Sequence, residues 1–166
     1  MSKFLADHLT EPVLSRLSRA HAIGRAHLGI VIATVDEHGW PHPSMLSSLE
    51  VVARDARNIR LAAHARSRTT RNLRHNGKLT MTLIDEGGVF YIKGDVLEVQ
   101  SPVAEHQSPV PAHRSPEIVV FNMRVDSVLE DNPAAYEPAR ITSGIRVERE
   151  IDHDVARKAL DDLLDP

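Results

Sequence analysis

The chain has 166 residues and a mass of 18.4 kDa, which suits one domain spanning 1–166 that folds without covalent staples. With no Cys, disulfides, thiolate catalysis, iron–sulfur clusters and Cys-ligated zinc are excluded together. Twenty Lys plus Arg against 23 Asp plus Glu argue against a general nucleic-acid binder. No apolar run reaches the ~18 residues of a membrane span, and no signal-peptide core opens the chain, so the expectation is a soluble cytoplasmic protein.

The first twenty residues read as a helix, with Thr10 as N-cap and with Glu11 and Pro12 suited to its first turn. Val13, Leu14, Leu17 and Ala20 share one face, and Gly24 is the stop signal. At Leu28 the period changes. LGIVIATVD (28–36) is β-branched and too apolar to be half solvated, so both faces of this strand should be covered. Glu37-His38-Gly39 makes a turn in which Gly39 takes positive φ. Strand two is WPHPSMLSSLEVVAR (40–54), confined at its start to an edge or a bulge by Pro41 and Pro43.

After a turn at Asp55–Asn58, IRLAAHA (59–65) forms the third strand. SRTTRNLRHNG (67–77) is a short helix with Ser67 as N-cap and Gly77 just past its end. KLTMTLID (78–85) and VFYIKGDVLEV (89–99) are strands four and five around a turn at Glu86-Gly87-Gly88. Residues 100–117 carry four prolines and read as a mobile loop near a substrate opening. IVVFNMRVDSVLE (118–130) alternates as a half-solvated strand, and IRVERE (145–150) is a short last strand. Asp152 then caps an acidic helix with Val155, Ala159, Leu160 and Leu163 inward. Consecutive strands joined by tight turns predict an antiparallel sheet or barrel.

The strongest chemical signal is a charge concentration. Eight of the twenty basic residues lie between Arg54 and Lys78, with Asp55 as the one acid among them. A solvated helix face is the bland explanation. Against it, the helix starting after Ser67 presents open backbone N–H groups, and Arg68 and Arg71 share a face beside them. That arrangement suits a phosphate. Nucleic acid fits poorly, because the cluster lacks interleaved aromatics and the whole chain holds six.

The succession GIVIATVDEHGWPHPSMLSS, RLAAHARSRTTRNLRHN, KLTMTLID and IKGDVLEV resembles the pyridoxamine 5′-phosphate oxidase-like FMN-binding split-barrel family over roughly residues 10–130. The resemblance implies a mostly β fold: a six-stranded antiparallel split barrel with flanking helices, paired as a homodimer with FMN at the interface. By the same resemblance the isoalloxazine ring lies along Ser44, Met45, Leu46 and Ser47, with Ala62, Ala63 and His64 contributing from the next strand. The FMN phosphate falls on Ser67, Arg68, Thr69 and Arg71. The implied activity is FMN-dependent oxidoreduction of a small molecule. The flavin carries that chemistry, so no side chain is assigned a catalytic role. A non-catalytic flavin- or haem-binding module and a deazaflavin-dependent reductase of the same fold are the alternatives.

The pattern has departures. Thr69 stands where many members carry Lys, and Val89 where the oxidases proper place Gln. The acidic C-terminal segment lacks the aromatic and arginine that hold a pyridoxal substrate, so efficient pyridoxamine 5′-phosphate oxidation is not expected. His38 and His42 straddle a Gly-Trp-Pro turn, which denies them helical metal geometry, and no metal site is assigned. Ser44, Ser47 and Ser48 show no nucleophile elbow. Trp40 is expected to pack the barrel end, Asp85 to be a solvated turn carboxylate, and Tyr91 and Lys93 to share a strand face.

Overall fold

The computed structural model describes residues 2–85, 88–99, 118–135, 137–139, 141–148, 150 and 152–164. The 100–117 loop and the turn residues Glu86 and Gly87 lie outside that set. The chain opens with β1 (Lys3–Ala6), followed by α1 (Glu11–Arg16) and α2 (Arg19–Ala22), where the sequence reads as a single helix. The break has a backbone cause. Leu17 ends α1 and its carbonyl accepts the amide of Ala53 at 2.9 Å, so this turn is tied to the sheet instead of continuing helically. Thr10 has cap geometry but makes no side-chain capping bond.

The sheet runs β3 (Pro41–Ser47), β2 (Leu28–Val35), β6 (Lys78–Asp85), β7 (Gly88–Glu98), β8 (Ile118–Asp131), β5 (Asn58–His64) and β4 (Val51–Ala53). Every pairing is antiparallel, with β1 added on β8 and β9 (Ile145–Arg146) on β2. The two ends of this path, β3 and β4, are joined by residues 48–50 alone. A connection that short forces the sheet to curl until its ends approach, which is a split barrel. The expected six strands become nine among the described residues. Strand two breaks because Ser47 donates its amide to Glu50 Oε2 at 2.7 Å while its own carbonyl and hydroxyl take the amides of Glu50 and Leu49. β1 is added at the N-terminus, and β9 is the short last strand expected at 145–150, reduced to Ile145–Arg146. Pro41 and Pro43 do sit on an edge, since β3 pairs with β2 alone.

The barrel interior is filled by Ile30, Ile32, Leu46, Ile59, Leu61, Met81, Ile92, Phe121 and Met123 among others. A second apolar layer lies outside the sheet, where Val52, Ala62 and Val120 are covered by Ala22 of α2 and by Ala156, Leu160 and Leu163 of α4 (His153–Leu164). Within α4 the inward stripe includes Ala156, while Val155 and Ala159 sit at its margin. On β2 one face is buried through Ile30, Ile32 and Thr34. The other, with Gly29, Val31, Ala33 and Val35, is half-buried because no helix among the described residues crosses it.

Asp85 is not a solvated turn residue. Its Oδ2 accepts from Arg16 Nε at 2.6 Å and Arg25 Nη1 at 2.7 Å, and Arg16 also lies over the Phe90 ring. With Asp85 at 17% exposure, Asp85→Ala should cost about 2 kcal/mol by leaving two half-buried cations without this carboxylate. Urea unfolding should show a lower midpoint at unchanged slope; an unchanged midpoint would mean that the pair adds nothing.

Candidate functional site

The site is built on α3 (Arg68–Asn76), whose ends are set locally. Ser67 accepts the amide of Thr70 at 3.1 Å through its side chain, and Gly77 closes the helix at φ 64° while donating to the Leu73 carbonyl. The strand before it fixes its position. His64, the last residue of β5, offers its carbonyl to the Ser67 amide at 2.9 Å and to the Thr70 hydroxyl at 2.8 Å. The inner face of α3 is polar where it crosses β2: Asn72 donates to Thr34 Oγ1 at 3.0 Å, and Asn76 to the Val35 carbonyl at 2.6 Å. At the N-terminus Thr69 is buried, and its hydroxyl meets that of Ser44 on β3 at 2.9 Å. Hence the helix start is locked to β3 and β5 together, while the amides of Arg68 and Thr69, in the first turn, have no intrahelical acceptor.

Beside this terminus a cleft of about 240 Å³ is lined by Arg68, Arg71, Asn72 and His75 from α3 and by Asp36, Glu37 and His38 from the β2–β3 turn. Arg68 and Arg71 are exposed, and their guanidinium groups make no hydrogen bond or ion pair with described residues. Arg74, by contrast, is held in a fork by Glu98 at 2.7 and 2.8 Å. Across the cleft Asp36 anchors its turn by accepting the amides of His38 and Trp40, each at 2.9 Å. Its carboxyl is held below the usual range chiefly by the Trp40 amide, with the His38 amide and the positive charges of His38 and Arg68 adding to it against desolvation. A larger hollow of about 320 Å³ lies on the outer sheet face around Ala33, Lys78, Lys93 and Asp126. It holds the Lys78–Asp95 ion pair and nothing from the start of α3.

The structure therefore brings Ser44, Ser67, Arg68, Thr69 and Arg71 to one place, with His64 adjoining through its carbonyl. Other expected residues are less open. Met45 is 52% exposed on the outer face of β3, Leu46 points into the barrel core, and Ser47 is buried in the turn it closes. Ala63 belongs to the barrel core and Ala62 to the layer beneath α2 and α4. The side chain of Thr69 is engaged by Ser44, which leaves its backbone as the available group. Trp40 does not pack the barrel end. It is 71% exposed, because the turn is held by Asp36 and needs nothing from the indole. Asp36, Asn72 and His75 were not legible as site residues, though a threonine inside an apolar strand was a sign that a polar helix face would meet it. Among the described residues no group of three His, Asp or Glu is placed to hold a metal, and no helix is long and apolar enough to cross a membrane.

The family model described as pyridoxamine 5′-phosphate oxidase matches residues 20–129, from α2 through most of β8. The chain is 33% identical over 142 residues to the uncharacterized protein YclD of Bacillus subtilis (strain 168), covering 84% of each sequence. Among solved structures, a Lactobacillus delbrueckii protein provisionally named a pyridoxamine 5′-phosphate oxidase superposes with a TM-score of 0.56 at 16% identity, over 77% of this chain and 98% of its own. An F420 reductase superposes with a TM-score of 0.50 at 18% identity, over 63% of this chain and 90% of its own. At such identities the structural likenesses speak for the split-barrel fold. Taken with the sequence match, they lead to one conclusion: the chain belongs to the pyridoxamine 5′-phosphate oxidase family.

Proposed function

We propose that this protein binds FMN, with the phosphate at the start of α3, and acts as an FMN-dependent oxidoreductase on a small molecule. The observation that carries the reading is the donor set. Two first-turn amides, two arginines without carboxylate partners among the described residues and the one hydroxyl proton that the Ser44–Thr69 bond leaves free surround one helix terminus. That set fits a phosphate dianion: the terminus supplies positive potential and the guanidinium groups supply charged donors. When bound, the flavin supplies the electron-transfer chemistry. The residues present do the rest. Ser67 holds the helix start rigid, Arg68 and Arg71 grip the phosphate, and β3 offers its backbone and the open side of Met45 to the ring. The β2–β3 turn, held by Asp36, forms the opposite wall of the cleft. The test is the identity of what the purified protein carries: the account expects FMN in the released fraction by mass, at one per chain.

A deazaflavin coenzyme is the second reading, favoured by the likeness to an F420 reductase. It also carries a phosphate, so the α3 seat serves either, and the mass of the released cofactor separates the two. Pyridoxamine 5′-phosphate should be a poor substrate, with kcat/KM below ~10⁴ M⁻¹s⁻¹ at saturating FMN. Glu148, Glu150, Asp152 and Asp154 crowd the segment where a second phosphate would need cations. Turnover at or above that value would put another basic pocket in play.

The same reading includes a homodimer with the cofactor at the interface. The uncovered face of β2 (Val31, Ala33, Val35) continues across the register onto Pro41, Pro43 and Met45 of β3. An apolar strip of this kind suits a second copy, and obligate interfaces commonly bury about 2,000 Å² or more. Sedimentation at micromolar concentration should give about twice 18.4 kDa. Met45→Glu should shift the protein toward monomer and weaken FMN with it, whereas a wild-type monomer would remove the interfacial site.

A further inference from the structure

Arg60 is a buried charge for which the described residues supply no counterion. The residue is 8% exposed, and its Nε and Nη1 have no hydrogen-bond acceptor. The charged group acting on it is Arg54, of the same sign, and desolvation together with that repulsion pushes the Arg60 pKa below its ordinary value. Several carboxylates among the described residues are engaged elsewhere. Glu98 holds Arg74, Asp161 holds Arg19, Asp154 holds Arg157 and Glu50 accepts the Ser47 amide. A buried, unpaired guanidinium is unfavourable, and a fold that keeps one normally presents it to an anion.

The sheet register shows where that anion would enter. On the outer face, Arg60 stands between Val52 of β4 and Asn122 of β8, and Asn122 is in turn opposite Leu97 of β7. Along this row Val52 is fully buried, Asn122 is half-buried and Leu97 is 76% exposed. Arg60 thus lies at the edge of the layer covered by α4, where the sheet opens toward β7. The Asn122 amide nitrogen is turned to another partner, donating to Asn58 Oδ1 at 3.2 Å. In the guanidinium fork, Nη2 shares an edge with Nε on one side and with Nη1 on the other. Either edge can take a planar or tetrahedral oxyanion through two N–H groups. We propose that Arg60 is the receptor of a small oxyanion, a carboxylate or a phosphate, entering over Leu97 and Asn122. This site is distinct from the α3 terminus, since Arg60 lies four residues, about 13 Å, back along β5 from His64.

The test uses the full-length Arg68→Ala protein, so that a response at the start of α3 is suppressed, labelled with ¹⁵N-arginine. The Arg60 Nε–H resonance, identified by its loss in Arg60→Met, should shift saturably with inorganic phosphate and with acetate, against chloride at equal ionic strength. Both proteins should fold, because replacing an unpaired buried charge by an apolar chain of similar length is neutral or stabilising. The Tm of the Arg60 parent should rise by about 5 °C at saturating phosphate, while that of the Met variant stays fixed. Equal responses in the two proteins, or no shift beyond the chloride control, would overturn the proposal. Loss of the phosphate shift on adding riboflavin would overturn it too, by assigning the guanidinium to the flavin site.

Discussion

Arg68→Ala is expected to weaken FMN about 10- to 100-fold, because a charge-assisted hydrogen bond contributes roughly 1.5–3 kcal/mol. Arg68 meets the conditions for that loss: it stands at the first position of α3, is exposed, and has no carboxylate partner among the described residues to be released when it is removed. Its acidic neighbour Asp36 is held by backbone amides and keeps its turn without the arginine. The fold should therefore be indifferent to the change. Riboflavin, which has no phosphate, should bind the variant almost as well as it binds the parent. Flavin fluorescence quenching with both ligands checks this. Equal losses for the two would show that Arg68 acts on the ring or on folding.

Gly94→Ala should destabilise the protein by about 3 kcal/mol or more, lowering Tm by roughly 10 °C. A Cβ at Gly94 would meet the Arg124 carbonyl oxygen at 2.2 Å and its carbon at 3.0 Å. Those atoms are backbone and cannot swing aside. The contact falls where the β7–β8 register shifts, with Lys93 opposite Ser127 and Gly94 opposite Val125, so Asp126 bulges on β8. These two strands join the halves of the sheet path, and a shift there reaches both the barrel interior through Met123 and the layer beneath α4 through Val120. Scanning calorimetry on the variant should show the drop; an unchanged Tm would mean that β8 yields without cost.

What could be read in advance follows how local the causes are. The limits of α3 were legible because Ser67 and Gly77 act within a few residues of themselves, and β6 because its alternation is clean. The anion character of the α3 start was legible for the same reason, since Ser67, Arg68 and Arg71 lie within one turn. The break in strand two was not, because its turn contains no Gly or Pro and depends on Glu50 reaching back to the Ser47 amide. The fate of Asp85 was hidden by distance: its partners Arg16 and Arg25 lie 69 and 60 residues away. The burial of Arg60 was equally hidden, since it depends on the pairing of β5 with β4 and with the distant β8. The acidic wall of the cleft escaped notice because Asp36 and His75 meet only after β2 and α3 pack.

The central claim is that the start of α3 is a phosphate seat for a flavin nucleotide. Equilibrium titration of the cofactor-free wild-type protein with FMN and with riboflavin, at one salt concentration, tests it most directly. The account predicts one FMN per chain, with riboflavin bound about 100-fold more weakly. Equal affinities for the two flavins, or no binding of FMN, would contradict it.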